Sequence, residues 1–218
     1  MKPVLEISEV LSSLAKQRPV FHSEADFRHA FAWEIHQRLP SDALVRLELP
    51  VQVRQQFLHI DVWVVYQNTT LAVELKYKTR RLTIHIGNEQ YRLKDQSAQD
   101  TSRYDFLKDV QRLEQVVAVH PNSIGYAVLL TNDSAYWKKP VNHSTVDADF
   151  RLYDGRVVEG VLAWGVNASD GTKKDREQSL ELQGKYQLRW SDYSYPSSGS
   201  YGEFRSLVVK VSPINEAG

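Results

Sequence analysis

Residues 58–66 read LHIDVWVVY and residues 71–77 read LAVELKY. Both runs are rich in β-branched and aromatic residues, and Gln67, Asn68 and Thr69 lie between them. That pattern predicts a β-hairpin. Each apolar run carries an acid: Asp61 in the first, Glu74 in the second with Lys76 two residues on. A carboxylate inside an apolar strand is costly unless something answers it. Strand parity puts Glu74 and Lys76 on one face, and Val73, Leu75 and Tyr77 on the other. The turn brings Asp61 close to Glu74. Two acids and a lysine converging on adjacent strands make a site for a hard divalent cation, magnesium or manganese. Magnesium needs only one or two carboxylates from a protein.

Upstream, Val45, Leu47 and Leu49 alternate with Arg46 and Glu48, as a strand does. Before them, Val4, Leu5, Ile7, Val10, Leu11 and Leu14 suit a helix that ends before Pro19. Ser23 is a good N-cap for a second helix, with Asp26 three residues on. This helix runs through Phe27, Ala30, Phe31, Ile35 and Leu39 and stops at Pro40. Glu24 falls on the stripe of Phe27, Phe31 and Ile35, the face expected to be buried. It is the third candidate acid, ahead of Glu34, which lies further round.

Downstream, residues 82–86 and 91–93 flank Gly87-Asn88 and predict a second hairpin. A long helix over 100–119 follows from Tyr104, Leu107, Val110, Leu113, Val116 and Val117. IGYAVLL at 124–130 reads as a central strand buried on both faces. After Asn132 the texture changes. Asp154-Gly155 predicts a hairpin, and 172–182 a short polar helix ending near Gly184. Residues 186–193 and 204–211 read as strands around the loop 195–202. The whole is α/β: an N-terminal helical segment (1–20), a core (21–135) and a β-rich C-terminal extension (136–218) packed on it as one globular unit.

Several other features carry a functional and a plain reading. Lys76, Lys78 and Arg80 share one parity and extend from the acids, where a phosphate backbone could lie; lysines also protect edge strands. Gln96 and Gln99 have a plain reading as ordinary loop polarity. Lys108 and Arg112 are four apart on the long helix, but Asp105, Asp109 and Glu114 lie among them. A solvated ion-pair surface is the expectation there. His22, His29 and His36 are read as solvent-side residues, and His59 as packed or hydrogen-bonded. Tyr193, Tyr195, Tyr201 and Phe204 are expected to pack over their own sheet.

The order of elements around Glu24, Asp61, Glu74 and Lys76, with a helix from Asp100 and a strand from Ile124, resembles the PD-(D/E)XK nuclease superfamily, the restriction-endonuclease-like fold. The resemblance covers residues 20–131. Ile60 stands where the family motif has Pro, a position that varies within it. The resemblance implies a mixed central sheet flanked by helices and a metal-dependent nuclease. Asp61, Glu74 and the backbone carbonyl of Leu75 would hold Mg2+ or Mn2+, with Glu24 acting through water or at a second metal. Lys76 would orient the attacking water. Some members place a polar residue, often Gln, near here to contact the site, which makes Gln96 and Gln99 candidates; Lys78, Arg80 and Gln96 would face nucleic acid, DNA more than RNA. The same fold also serves as a catalytically inactive binding or assembly module, the alternative reading.

Composition narrows the rest. Lys plus Arg and Asp plus Glu are both 27, so any nucleic-acid contact must come from a local patch. The absence of cysteine rules out disulfides, a thiol nucleophile and zinc–cysteine or iron–sulfur sites. No run approaches the ~18 apolar residues of a membrane span, and no secretory signal is visible. A cytoplasmic location without membrane contact is the expectation. There is no P-loop or dinucleotide fingerprint, and no hydrolase serine motif. A homodimer, or a partner protein supplying specificity, is left open.

Overall fold

The computed structural model describes residues 5–142 and 144–213; Val4 of the expected first apolar pattern lies outside the described residues. Helix α1 (Ile7–Gln17) buries Ile7, Val10, Leu11 and Leu14. Helix α2 (Glu24–Arg38) starts at Ser23, whose hydroxyl accepts from the Asp26 N–H at 3.1 Å. Strands β1 (Leu44–Val53), β2 (Gln56–Tyr66) and β3 (Thr69–Lys78) follow, then the hairpin β4 (Leu82–Ile86) and β5 (Glu89–Leu93). Helix α3 (Gln99–Val119) leads to β6 (Ser123–Thr131). The remainder holds a 3-10 turn (Ala148–Phe150), β7 (Val157–Leu162), the short α4 (Asp170–Lys173), β8 (Leu180–Gln187), β9 (Trp190–Ser194) and β10 (Phe204–Val211).

Six strands form the central sheet in the order β1-β2-β3-β6-β10-β9. Among the described residues only β3 and β6 run parallel; α3, in the connection between them, makes that crossover possible. Helices α1 and α2 cover one face, packing on Val62, Val64, Val73, Leu75, Tyr77 and Val128. Helix α3 covers the other, on Ile60, Ala72, Ala127 and Leu129, with the β7–β8 ladder in the same core through Leu162, Leu180 and Leu182. Burial on both faces is why β6 reads as an unbroken apolar run. Near its start Gly125 lets α3 come close: a Cβ there would stand 2.9 Å from the Leu113 Cβ. The protein is thus α/β, with a mixed sheet flanked by helices and a β-rich C-terminal part.

The C-terminal part departs from expectation in three places. The helix expected over 172–182 is only Asp170–Lys173; from Leu180 the chain is a strand that buries Leu180 and Leu182 and exposes Glu181 and Gln183. That period-two pattern was readable but lay beneath a polar, helix-compatible composition. The strand expected over 186–193 is two strands, broken at Leu188 and Arg189, where the chain leaves β8 and joins the central sheet as β9. Leu188 N–H donates to the Arg156 carbonyl at 2.7 Å across that break. The turn at Asp154-Gly155 exists, with Gly155 at φ +78°, but only its downstream side is a strand, and that strand pairs with β8. The stretch after residue 135 supplies two strands to the central sheet, β9 and β10, which complete it.

Candidate active site

The site begins where β2 leaves β3. Their antiparallel pairing runs from Tyr66–Thr69 to Val62–Val73 and stops there. On the other side of β2, the β1 register steps over Glu48 and Asp61, and Glu48 takes a left-handed φ of 52°. Beyond Val73, β3 therefore has N–H groups with no strand to answer them. Two carboxylates do so instead. Asp61 Oδ2 accepts from the Leu75 N–H at 2.7 Å, and Glu24 Oε2 from the Tyr77 N–H at 2.9 Å. A strand residue's N–H and C=O point to the same side, so the Leu75 carbonyl looks onto this vacated edge between the two acids. Glu24 reaches it because α2 crosses this end of the sheet.

Glu74 and Lys76 stand on the face covered by α3. There they meet Asp109 and Arg112, one turn apart on that helix. Lys76 Nζ lies 2.6 Å from Asp109 Oδ2. Arg112 reaches Glu74 Oε1 at 3.2 Å, Asp109 Oδ1 at 3.1 Å and the His59 carbonyl at 2.6 Å. Arg28, one turn after Glu24 on α2, bridges Asp61 Oδ1 at 2.9 Å and Glu48. Asp61, Glu74 and Asp109 are thus three buried acids matched by Arg28, Lys76 and Arg112.

Burial and like charges push Glu74 well above the usual carboxylate range: desolvation first, then Asp109, with Asp61 adding and Arg112 and Lys76 opposing. Asp109 is also raised, by desolvation against the pull of Lys76 and Arg112. For Lys76, desolvation works against the charge, but Asp109, Glu24 and Glu74 overcome it and hold it at about 12. Acids raised by burial beside a charged ammonium occur at reactive sites and in structural ion-pair networks alike.

The remaining sequence candidates already have partners within the protein. Lys78 pairs with Glu24 at 3.3 Å. Arg80 pairs with Asp95 at 2.7 Å and lies over the Tyr201 ring. The expected basic row is therefore largely neutralised by its own neighbours. Gln96 Oε1 accepts from the Thr79 N–H at 2.8 Å, and its own N–H returns to the Thr79 carbonyl. It pins the chain leaving β3. Gln99 donates to Asp133 at 2.8 Å. His22 stacks on Tyr91 and bonds Glu89 at 2.8 Å. His29, His36 and the His59 side chain are exposed. Tyr193 and Phe204 are buried, as expected, whereas Tyr195 is 62% exposed.

Asp109, Arg112 and Arg28 are what the sequence reading missed. Asp109 and Arg112 were expected on a solvated surface, but Asp109 is only 4% exposed. The signal was present: Asp109 lies on the stripe of Phe106, Val110 and Leu113, the same argument that singled out Glu24. Large surface hollows of 810 Å³ beside α1 and β9, and of 570 Å³ between α3 and β8, are lined by none of the residues of this cluster.

Among the described residues, no three His, Cys, Asp or Glu side chains form a ready-made cation cage. The donors nonetheless suit a hard cation. They are carboxylate and carbonyl oxygens, and Glu74 Oε1 is buried without a properly directed hydrogen bond. No helix of the described residues is long and apolar enough to cross a membrane. Comparison with known protein families, curated proteins and solved structures gives no match.

Proposed function

We propose that the chain is a divalent-metal-dependent nuclease of the restriction-endonuclease-like type, acting on phosphodiester bonds of DNA in preference to RNA. One observation carries the reading: at the parted β2–β3 edge, Asp61 answers the Leu75 N–H beside the buried Glu74 and the half-buried Lys76. This juxtaposition places two acids, a backbone carbonyl and a lysine together on a sheet whose order of elements fits that fold. Asp61, Glu74 and the Leu75 carbonyl would hold Mg2+ or Mn2+, with Glu24 next along the edge. When bound, the metal supplies an acidified water and charge neutralisation at the phosphate. Lys76, charged to high pH, offers an N–H donor for the developing negative charge. Asp109 fixes its ammonium in place.

The test is cleavage of plasmid, linear duplex, single-stranded DNA and RNA with Mg2+, Mn2+ or EDTA, using wild type, Glu74→Ala and Lys76→Ala. Metal-dependent cutting lost in both variants supports the reading. Intact substrates throughout sink it.

A second reading is a nuclease-fold binding module without activity. Its support is the charge balance: Asp61, Glu74 and Asp109 already have their own cations. Divalent metal that leaves the melting temperature unmoved favours the module, since a ligand that binds only the folded state must raise it.

A further inference from the structure

We propose that Arg112 is the resident cation of this site, and that a divalent metal and the Arg112 guanidinium are alternative occupants of one position between Glu74, Asp109 and the His59 carbonyl. The metal half of the proposal rests on the metal-site reading above, with Glu74 as the acid that this position shares with the Asp61–Leu75 carbonyl edge; the occupancy of the position by Arg112 does not.

Three oxygens from three elements surround one guanidinium. Its Nη2 lies 3.2 Å from Glu74 Oε1 on β3 and 2.6 Å from the His59 carbonyl on β2. Its Nη1 lies 3.1 Å from Asp109 Oδ1 on α3. Two carboxylates and a carbonyl are a hard-cation donor set. The acids are fixed and buried, with side chains 3% and 6% exposed, whereas the Arg112 side chain is 25% exposed. The cation can therefore swing toward solvent while the anions stay. Glu74 Oε1 also lacks a well-directed hydrogen bond despite its contact with Arg112, so the guanidinium fills the position without saturating it.

Charge makes the two occupants exclusive. Counted as ionised, the buried acids Asp61, Glu74 and Asp109 match Arg28, Lys76 and Arg112, with the exposed Glu48 also on Arg28; a proton on Glu74 tips the buried groups further toward positive charge. A divalent ion added on top leaves two uncompensated positive charges in a buried cluster. With Arg112 withdrawn, only one remains. Ionic groups in such a site resist leaving partners unmatched. Metal uptake and release of Arg112 are then one event, and Asp109 becomes a metal-facing acid that the hairpin motif alone does not contain.

The experiment measures Mn2+ binding directly, by calorimetry and by the loss of the free Mn2+ electron-spin signal, in wild type and Arg112→Gln. Arg112→Gln should bind about tenfold tighter or better, equivalent to ~1.4 kcal/mol, and gain more melting temperature on binding. Methylguanidinium added to Arg112→Gln should refill the vacated position and weaken Mn2+ binding again. Arg112→Lys, which keeps the charge and loses the fork, should fall between and covers the case where Arg112→Gln does not fold. Equal or weaker Mn2+ binding in both variants, or no binding in any protein, overturns the proposal. Tight binding in Arg112→Gln without cleavage keeps it and sinks only the nuclease reading. Cleavage by wild type with unchanged binding in Arg112→Gln does the reverse.

Discussion

Helix α3 buries acids along its length, at Asp109 and at Glu114, and treats them differently. Glu114 accepts from the Gln183 N–H at 3.1 Å, the Gly184 N–H at 2.7 Å and the Tyr186 hydroxyl at 2.7 Å. Its partners belong to β8, two of them backbone groups that cannot withdraw without unmaking the strand. Asp109, with Glu74 beside it, is met by Lys76 and Arg112, the ends of long side chains. Acids answered by backbone hold structure together. Acids answered by lysine and arginine can exchange those partners for a substrate, a metal or a proton.

Substitutions can break or sharpen this contrast. Glu114→Ala should have the largest effect, about 3 kcal/mol, because two N–H groups and a phenol lose a charged acceptor. The urea-unfolding midpoint should fall with an unchanged slope; a loss below ~1 kcal/mol would show that water replaces the carboxylate. Lys76→Met should cost less, about 2 kcal/mol, because Arg112 still faces Asp109. The same denaturation series measures it, and a cost equal to that of Glu114→Ala would erase the distinction. Tyr186→Phe should cost about 1 kcal/mol, one charged hydrogen bond with two others kept.

The smallest effect at any one pH is the most discriminating. Glu74 is raised in the folded protein, so the native state holds a proton that the unfolded chain has already released. Stability is lost as pH climbs from the ordinary carboxylate value, ~4.3, through the raised one. Glu74→Gln has no such loss. Its melting temperature relative to wild type should therefore climb across that window and then level off. A difference that stays flat with pH would mean Glu74 ionises like an ordinary surface carboxylate.

Much of the frame was legible because local signals agreed with one another. Ser23, Pro19 and Pro40 bounded the first two helices, and the hairpin runs, the α3 periodicity and the apolar β6 gave the rest of the core. Asp61, Glu74 and Lys76 stood out because charge inside an apolar strand is visible without knowing what lies opposite. Glu24 came from the same logic on a helix. Asp109 escaped because charged neighbours at Asp105, Lys108 and Arg112 made its surroundings look solvated, although only Lys108 among these three is exposed. Arg28 and Glu48 could not be found at all, since their pairing depends on the left-handed backbone at Glu48. In the C-terminal part, β8 was hidden because only two of its positions are strongly apolar and because its partner β7 lies almost twenty residues upstream.

The position of β10 bears on how the chain is made. It lies between β6 and β9, pairing Val211 with Gly125 at one end and Arg205 with Thr131 at the other. Until residues 204–211 have left the ribosome, β6 is an uncovered sheet margin of valine, leucine and alanine. Such a margin invites pairing with another nascent chain. Synthesis therefore passes through an interval in which a chaperone has a ready client, and any cut or premature stop before Phe204 would prolong that interval indefinitely.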